Sequence, residues 1–593
     1  MMPLQVADAM TPVYTVRRCV AVPRQSPRSV VSALSHRHSL FAAMPGAATD
    51  DGTGPRASVT VATREESAVV SALLSSLAVL ASLLIGRWAP RRYLSGCGVA
   101  ALLGLALGVA ALVSSWLHHG WLPLRLAFDS ASFFTYLLPP IIFDAGMRVN
   151  IRQFVAKSRL PYILILGLAG TVASCAVVSA LASLIHPAGM SLSLRSQLAL
   201  GAVFAATDTV ATLSVLNPTA APRLFAIVLG EGCTNDAISL VLLRAVESMP
   251  ADGGNLSWQL LALVVSFGWL LLASTAIGVC TGLVAALVAR LTVSQFASDD
   301  DDGASVDLET ALFYLLAYLS FLLAEAWHLS GILSLFVCSL TMKHYAVRAL
   351  SRQARHSALH SVATLAFVCE QLIFLQSGMA VLDMRIWRLA HGLEVLTLVI
   401  TLGSALLVVR AAMVFPALAL GNALGRRDTE PLSLRECAVV WWAGSTRGAV
   451  SLAIATHAFD VNQRGASPDD RATNASVIGA SLLIVLISST VFSGLTQPFL
   501  RRVLPSAVAG ASPGVSALGN GANSAEDDDD LADSNSWLAR TWRRIDDRYL
   551  APVLEGSSLP SSGVCSPPSV GNLELLDRTT DAPGDGREGG AWE

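Results

Sequence analysis

Charge is scarce in this sequence. Lysine, arginine, aspartate and glutamate make up 14% of 593 residues, against about 25% in an ordinary soluble domain. A chain of this length cannot cover its surface with so few charged groups, which excludes a soluble enzyme. Its apolar content excludes a disordered or fibrous protein. The net charge of -3 leaves no basic field to attract nucleic acid. Cysteine is sparse and scattered. Cys19, Cys97, Cys175, Cys233, Cys280, Cys338, Cys369, Cys437 and Cys565 never form a CxxC pair, so neither a disulfide framework nor a zinc site is indicated. What is abundant is apolar: 53% of the residues are hydrophobic and the mean hydropathy is +0.57. That composition indicates an all-α polytopic membrane protein.

The apolar residues gather into thirteen runs between Ser67 and about Leu500. They lie at about 67–86, 96–117, 129–147, 161–186, 197–216, 224–246, 258–290, 310–327, 329–345, 360–381, 393–422, 437–458 and 474–500. Most suit a helix crossing a hydrocarbon core of about 30 Å. The seventh is too long for an upright crossing and is expected to tilt or project beyond the bilayer. Basic residues follow the odd-numbered runs: Arg87, Arg91 and Arg92; Arg148, Arg152, Lys157 and Arg159; Lys343, Arg348, Arg352 and Arg355; Arg426, Arg427 and Arg435; Arg501 and Arg502. Odd-numbered connections share one side, which the positive-inside rule makes cytoplasmic. Arg385 and Arg388, partly offset by Asp383, run against the pattern. The C-terminal tail is then cytoplasmic and residue 66 lumenal or extracellular. The sequon Asn255-Leu256-Ser257 falls on the lumenal side, as a used glycan requires.

Residues 1–66 are polar and irregular, with Arg17, Arg18, Arg24, Arg28 and Arg37 among serines and alanines. That reads as a targeting segment or as a plain disordered extension. Residues 67–503 form the membrane domain. Residues 504–593, rich in Gly, Ser, Pro and Asp, form an acidic and mostly disordered tail. Within it, Trp537 to Leu554 is the stretch able to form a helix or dock a cytoplasmic regulator. A second acidic run, Asp299 to Asp302, reads as a solvated loop or as a metal or partner site.

Against this background, the ionisable groups inside apolar runs are conspicuous. They are Asp144, Asp208, Glu231, Asp236, Arg244, Glu325, Glu370, Arg410 and Arg447. One charge at the bilayer centre costs at least about 2.5–3.5 kcal/mol, so such groups pair or bind something that moves. Arg244 and Glu325 stand near run ends and are expected to snorkel to the boundary. Runs five and twelve are also broken, at Phe204-Ala-Ala-Thr207-Asp208-Thr209-Val210 and at Gly444-Ser445-Thr446-Arg447-Gly448-Ala449-Val450. If run seven is a linker, the two breaks occupy matching positions in two halves, as do Asp144 on run three and Glu370 on run ten. Interrupted helices at matching positions are a mark of inverted-repeat transporters, and the alternative is glycines that merely allow close packing. Asp208 would then compensate half-helix N-termini and Arg447 the C-termini. On run six, Glu231 and Asn235 share a face, with Asp236 about 140° around from Glu231. A carboxylate facing a midplane cavity holds a proton or a small cation, not both. Glu231 needs another role, and Arg410 is its best countercharge.

At these residues a resemblance emerges. Phe133-Phe134-Thr135-Tyr136-Leu137-Leu138-Pro139-Pro140-Ile141-Ile142-Phe143 is similar to the FFxxLLPPII segment of eukaryotic sodium/proton exchangers, where amiloride-type inhibitors act. Gly201 to Leu216 resembles their ATD(P/S)V segment, Leu229 to Leu243 their GE(S/G)xxND segment, and Trp441 to Ala453 their RGAV segment. The GEG form on run six, Ala326 to Tyr345 and Trp441-Trp442-Ala443-Gly444 look most like the plant-type vacuolar and endosomal Na+(K+)/H+ antiporters. The match covers about residues 67 to 505, with a weaker echo at Trp542 to Glu555.

The resemblance implies about thirteen transmembrane helices in two inverted repeats with unwound crossing helices, working as a homodimer by an elevator-like motion. It implies Na+, K+ and H+ as cargo, no cofactor, and a vacuolar or endosomal membrane. Asp236 matches the ion-carrying aspartate, and Asn235 matches electroneutral exchangers. Thr207 and Asp208 match the unwound crossing, Glu231 and Arg410 a structural ion pair, Glu370 an acid linked to transport, and Arg447 the second crossing helix. Phe133, Phe134, Leu137, Leu138, Pro139 and Pro140 match the inhibitor region. The chain departs from the family's usual residues at Thr209 (Pro or Ser), Gly232 (Ser in many relatives), Asp144 (often Asn in the vacuolar subgroup), and Ser445 and Thr446 (apolar). These departures bear on ion selectivity and inhibitor response.

Two other classes fit interior carboxylates. A cation channel would show a repeated filter-like carbonyl motif, which is missing. An intramembrane aspartyl protease would bring Asp208 and Asp236 together as a dyad.

Overall fold

The structure, a computed structural model, describes residues 73, 75–85, 96–118, 130–149, 160–184, 192–249, 255–296, 302–424, 431–461 and 467–507. The expectations for residues 1–66, for the tail beyond 507 with Trp537 to Leu554, for Asp299 to Asp301 and for most loop cations of the first, third and eleventh connections lie outside them.

Among the described residues there is helix and no strand. In hydrocarbon a helix satisfies its own backbone, whereas an open sheet edge does not. In chain order the helices begin with α1 (Ser75–Ile85) and α2 (Gly96–His118). α3 comprises Ser130–Ser132, a π turn Phe133–Leu137 and Leu138–Arg148. α4 comprises Leu160–Ile163, a π stretch Leu164–Gly170 and Thr171–Leu184. There follow α5 (Leu194–Ala205), α6 (Val210–Leu213), α7 (Pro222–Glu247) and α8 (Leu256–Phe296). Next come α9 (Asp302–Ala326), α10 (Gly331–His344), α11 (Arg352–Ala380) and α12 (Met384–Leu389). The last are α13 (Gly392–Leu424), α14 (Leu434–Ala443), α15 (Ala449–Ala458) and α16, which runs Pro468–Ile487, a π turn Ser488–Phe492 and Ser493–Val503.

Among the described residues, each apolar run falls largely on helix. Eight of these helices are long and apolar enough to cross a membrane by length and composition. The other runs lie on helices that are short or interrupted: α1, α3, α10, and the pairs α5–α6 and α14–α15.

Helix starts follow from side chains that accept orphan N–H groups. Ser193, Ser330 and Ser351 cap α5, α10 and α11, and Ser433 and Ser467 form capping boxes with Glu436 and Asp470. Pro222 opens α7, where its missing N–H costs nothing. The π turn in α3 has a similar cause. Pro139 and Pro140 cannot donate, and their rings crowd the carbonyls four residues back. The turn before them widens, and the released Thr135 carbonyl accepts a hydrogen bond from the Tyr318 hydroxyl at 3.2 Å.

α7 is the most enclosed span, with 78% of its apolar length buried, against 17% for α8. α8 therefore presents its sides outward, with Trp258, Val264, Trp269 and Leu272 exposed. α7 packs against α4, α5 and α8 and touches both halves of the second broken pair, α14 and α15. The helix that carries three of the nine interior ionisable groups, Glu231, Asp236 and Arg244, is thus also the most enclosed of these spans.

Candidate functional site

The site grows from two breaks in helix. α5 stops at Ala205 and the chain resumes helix at Val210; α14 stops at Ala443 and resumes at Ala449. Each break frees backbone groups that lipid cannot satisfy, and the two breaks satisfy one another. The Asp208 N–H donates to the Thr446 carbonyl at 3.0 Å. The Thr446 hydroxyl donates to the Asp208 carbonyl. The Ser451 hydroxyl donates to the Ala206 carbonyl at 3.3 Å. From α16, the Ser488 hydroxyl accepts from the Arg447 N–H at 3.1 Å and donates to its carbonyl at 2.8 Å.

Charges finish what the backbone leaves. Asp208 Oδ1 accepts from the Val210 N–H at 3.0 Å, capping α6, and its carboxyl packs against Gly448 at the start of α15. Arg447 Nη1 donates to the Gly444 carbonyl at 2.7 Å and to the Thr446 carbonyl at 3.1 Å, at the C-terminal end of α14. An anion at N-termini and a cation at C-termini is the arrangement helix dipoles favour.

α7 lies against this crossing. Asn235 Nδ2 donates to the Thr207 hydroxyl at 3.0 Å, and Asn235 Oδ1 accepts from the Thr171 hydroxyl on α4. Both ends of the amide are therefore in use. Thr171, Ser174, Thr207, Asn235, Arg410 and Arg447 border one side of a small cavity whose remaining lining, including Leu166, Val178, Phe204 and Leu406, is apolar. Asp236 is not among its lining residues. Asp236 is half-buried and, among the described residues, its carboxyl has no hydrogen-bond or ion-pair partner. It lies within electrostatic range of Asp208.

Glu231 is fully buried, and its Oε1 pairs with Nη2 of Arg410 on α13. Among the described residues no group other than Arg410 reaches the Glu231 oxygens. Arg410 Nη2 also donates to the Val440 carbonyl at 3.2 Å. Gly444 rests on this guanidinium, and a Cβ there would overlap it. The backbone at Gly444 (φ -91°, ψ 8°) is open to any residue, so the constraint is space. Breaking a buried pair costs about 3–5 kcal/mol, so Gly444→Ala is expected to melt well below the parent chain in detergent. Superimposable melting curves would show that α14 yields and the pair survives.

The supporting acids lie on α3 and α11. Asp144 Oδ2 pairs with Arg148 Nε one turn away, at 2.6 Å. Glu370 accepts from the Cys97 thiol of α2 at 3.2 Å and lies within electrostatic range of Asp208 and Asp144. Phe133 is fully buried and meets Phe134 edge-on at 5.2 Å; Phe134 meets His457 of α15 at 5.6 Å. Leu138 and Pro139 are buried, with Leu137 and Pro140 half-buried beside them. The Phe133 to Pro140 segment thus abuts α15 of the second broken pair.

One expectation needs correction. Arg244 and Glu325 do not snorkel separately: Arg244 Nη2 reaches both Glu325 oxygens, at 2.6 and 2.8 Å, and Glu325 also accepts from the Gly331 N–H at 3.1 Å. They tie α7 to α9 across the start of α10. Sequence reasoning also missed Thr171, Cys97 and Ser488, which stand as ordinary small polar residues in apolar runs. The partner of Asp144 was recoverable from the i,i+4 spacing of Arg148.

Residues 77–502 match the family model described as sodium/hydrogen exchanger, transmembrane. The chain belongs to that exchanger family. It is 37% identical over 457 residues to sodium/hydrogen exchanger 2 of Arabidopsis thaliana, covering 75% of this chain and 80% of that one. Against sodium/hydrogen exchanger 1 of Oryza sativa the identity is 36% over 440 residues, covering 73% and 78%. Against sodium/hydrogen exchanger 9 of Homo sapiens it is 28% over 453 residues, covering 74% and 65%. Among solved structures, the sodium proton antiporter MjNhaP1 of Methanocaldococcus jannaschii at pH 8 aligns with a TM-score of 0.50 and 17% identity. The alignment covers 74% of this chain and 99% of that one. At that identity the likeness speaks to fold alone. Family membership leaves the channel and protease readings without support.

Proposed function

We propose that this chain is a secondary antiporter, and no enzyme, exchanging Na+ for H+ at Asp236. The observation that carries the reading is a contrast. Asp144, Glu231, Glu325, Arg244 and Arg410 are ion-paired, Asp208 and Arg447 are absorbed by helix ends, and Glu370 accepts a thiol. The Asp236 carboxyl alone among these interior groups keeps its bonding capacity for something that is not protein. A carboxylate so placed holds a proton or a cation in turn, and the two loaded forms carry equal charge. The barrier to moving it is then similar for either cargo. Asn235 is neutral, and its amide is engaged at both ends by Thr171 and Thr207, which leaves one exchanging carboxylate and a one-for-one, electroneutral cycle. The cycle uses no cofactor.

The finer reading follows the plant relatives. The chain takes K+ as well as Na+, crosses the membrane thirteen times and works as a homodimer in a vacuolar or endosomal membrane, where it regulates pH. Its residues 504–593 form a cytoplasmic tail, open to a regulator, behind the membrane domain of 67–503 and the extension of 1–66. The test is a pH gradient across proteoliposomes holding the full chain, with Na+, K+, Li+ or choline added outside. Na+ and K+ are expected to collapse the gradient, choline to leave it, and an imposed membrane potential to leave the initial rate unchanged. Cation flux that ignores the pH gradient would point to a channel and end the antiporter reading.

A further inference from the structure

Thr209 sits at the N-cap of α6, where a threonine hydroxyl ordinarily accepts from a backbone N–H of the first turn. Here it does not. The neighbouring Asp208 takes the Val210 N–H instead. Thr209 is 5% exposed, and its hydroxyl has no hydrogen-bond partner among the described residues. Its direction is set by Gly232 of α7. A Cβ added at 232 would collide with Thr209 Oγ1, and with Cγ2 at 3.1 Å. Gly232 precedes Asp236 by four residues, so the two share one face of α7, one turn apart. The unpartnered hydroxyl therefore lies on the Asp236 face of the helix, with the Asp208 carboxyl beside it in sequence and in electrostatic range of Asp236. Where α7 itself offers no side chain, the crossing segment supplies an oxygen.

We propose that Thr209 is a cation ligand and a specificity-determining residue of the transport site, its hydroxyl occupying the space that Gly232 leaves open. The proposal rests on the antiporter reading above. A hard monovalent cation is held by several oxygens, whereas a proton on Asp236 needs only the carboxylate itself. An added neutral oxygen therefore favours the cation-loaded form over the protonated form. The β-branched side chain, pressed on Gly232, restricts where that oxygen can point. A fixed oxygen suits one ionic radius better than another.

The experiment measures the KM for Na+ and for K+ in proteoliposomes. Thr209→Val removes the hydroxyl at nearly constant shape and is expected to raise the Na+ KM about tenfold, with the maximal rate within about twofold. Thr209→Ser keeps the oxygen but frees it. Its Na+ KM should stay within about threefold of the parent while the Na+ to K+ preference shrinks. The double variant Thr209→Ala with Gly232→Ser moves the hydroxyl onto α7 without the clash, and should restore a near-parental Na+ KM. If Thr209→Val does not reconstitute, this double variant carries the test alone: a restored KM supports the ligand role and a raised KM overturns it. An unchanged KM in Thr209→Val overturns it too, as does equal impairment in Thr209→Ser, which would make packing the cause. A parent chain that exchanges no alkali cation is a separate result and removes the antiporter reading itself.

Discussion

Asp236→Asn is expected to reduce cation-driven collapse of a pH gradient to the level of empty liposomes, while the protein stays folded. The first half follows from chemistry. An amide neither releases a proton near neutral pH nor offsets a bound cation's charge, so neither half of the exchange can be carried. The second half follows from what Asp236 does not touch. Its carboxyl has no hydrogen-bond or ion-pair partner among the described residues, so the substitution breaks no native polar contact. It also removes a charge held in a low-dielectric site beside the Asp208 carboxyl. The melting temperature in detergent is expected to equal or exceed that of the parent chain. This pairing of outcomes separates a carrier from a structural acid, whose loss would lower activity and stability together. Exchange at parental rates in reconstituted Asp236→Asn would sink the assignment of this residue as carrier.

Much of that site was legible in the amino-acid order because the bilayer makes charge expensive. Glu231 and Arg410, alone in apolar runs, each needed an opposite charge, and they meet. The breaks at Asp208 and Arg447 were legible as lost helix, and dipole arithmetic anticipated which end each charge serves. What apolar runs report is the hydrocarbon, not the helix. α11 begins at Arg352 and α9 at Asp302, about eight residues before the corresponding apolar stretches, since a helix continues into the polar boundary once its backbone is engaged. Tertiary adjacency was not legible. Arg244 and Glu325 lie 81 residues apart, and nothing in either run says that their ends abut. Thr171 is one hydroxyl among many in apolar helices, distinguished only by where α4 meets α7. Thr209 and Gly232 were each visible as departures from the family's usual residues. That one makes room for the other exists only in three dimensions.

The second large effect concerns the buried pair. Glu231→Arg and Arg410→Glu each place like charges in contact in a water-free interior, and either change is expected to abolish recovery of monodisperse protein. A buried pair broken on one side costs about 3–5 kcal/mol, a large share of the total stability of a typical domain. The double exchange, Glu231→Arg with Arg410→Glu, restores attraction and should recover folded protein, though less than the parent. The shortfall has two sources: a glutamate at 410 cannot donate to the Val440 carbonyl, and it no longer fills the space against Gly444. Neutral variants sharpen the test because a third charge is present. Arg447 lies within electrostatic range of both members. Without Glu231, two guanidinium groups face each other uncompensated; without Arg410, Glu231 still has Arg447 nearby. Glu231→Gln is therefore expected to be the more destabilising of the neutral changes, and Arg410→Gln the milder. Thermal melting of the detergent-solubilised variants reads the order directly. A double exchange no better folded than the worse single variant would mean that the two residues are not energetic partners. The reverse order of the neutral variants would remove Arg447 from the account.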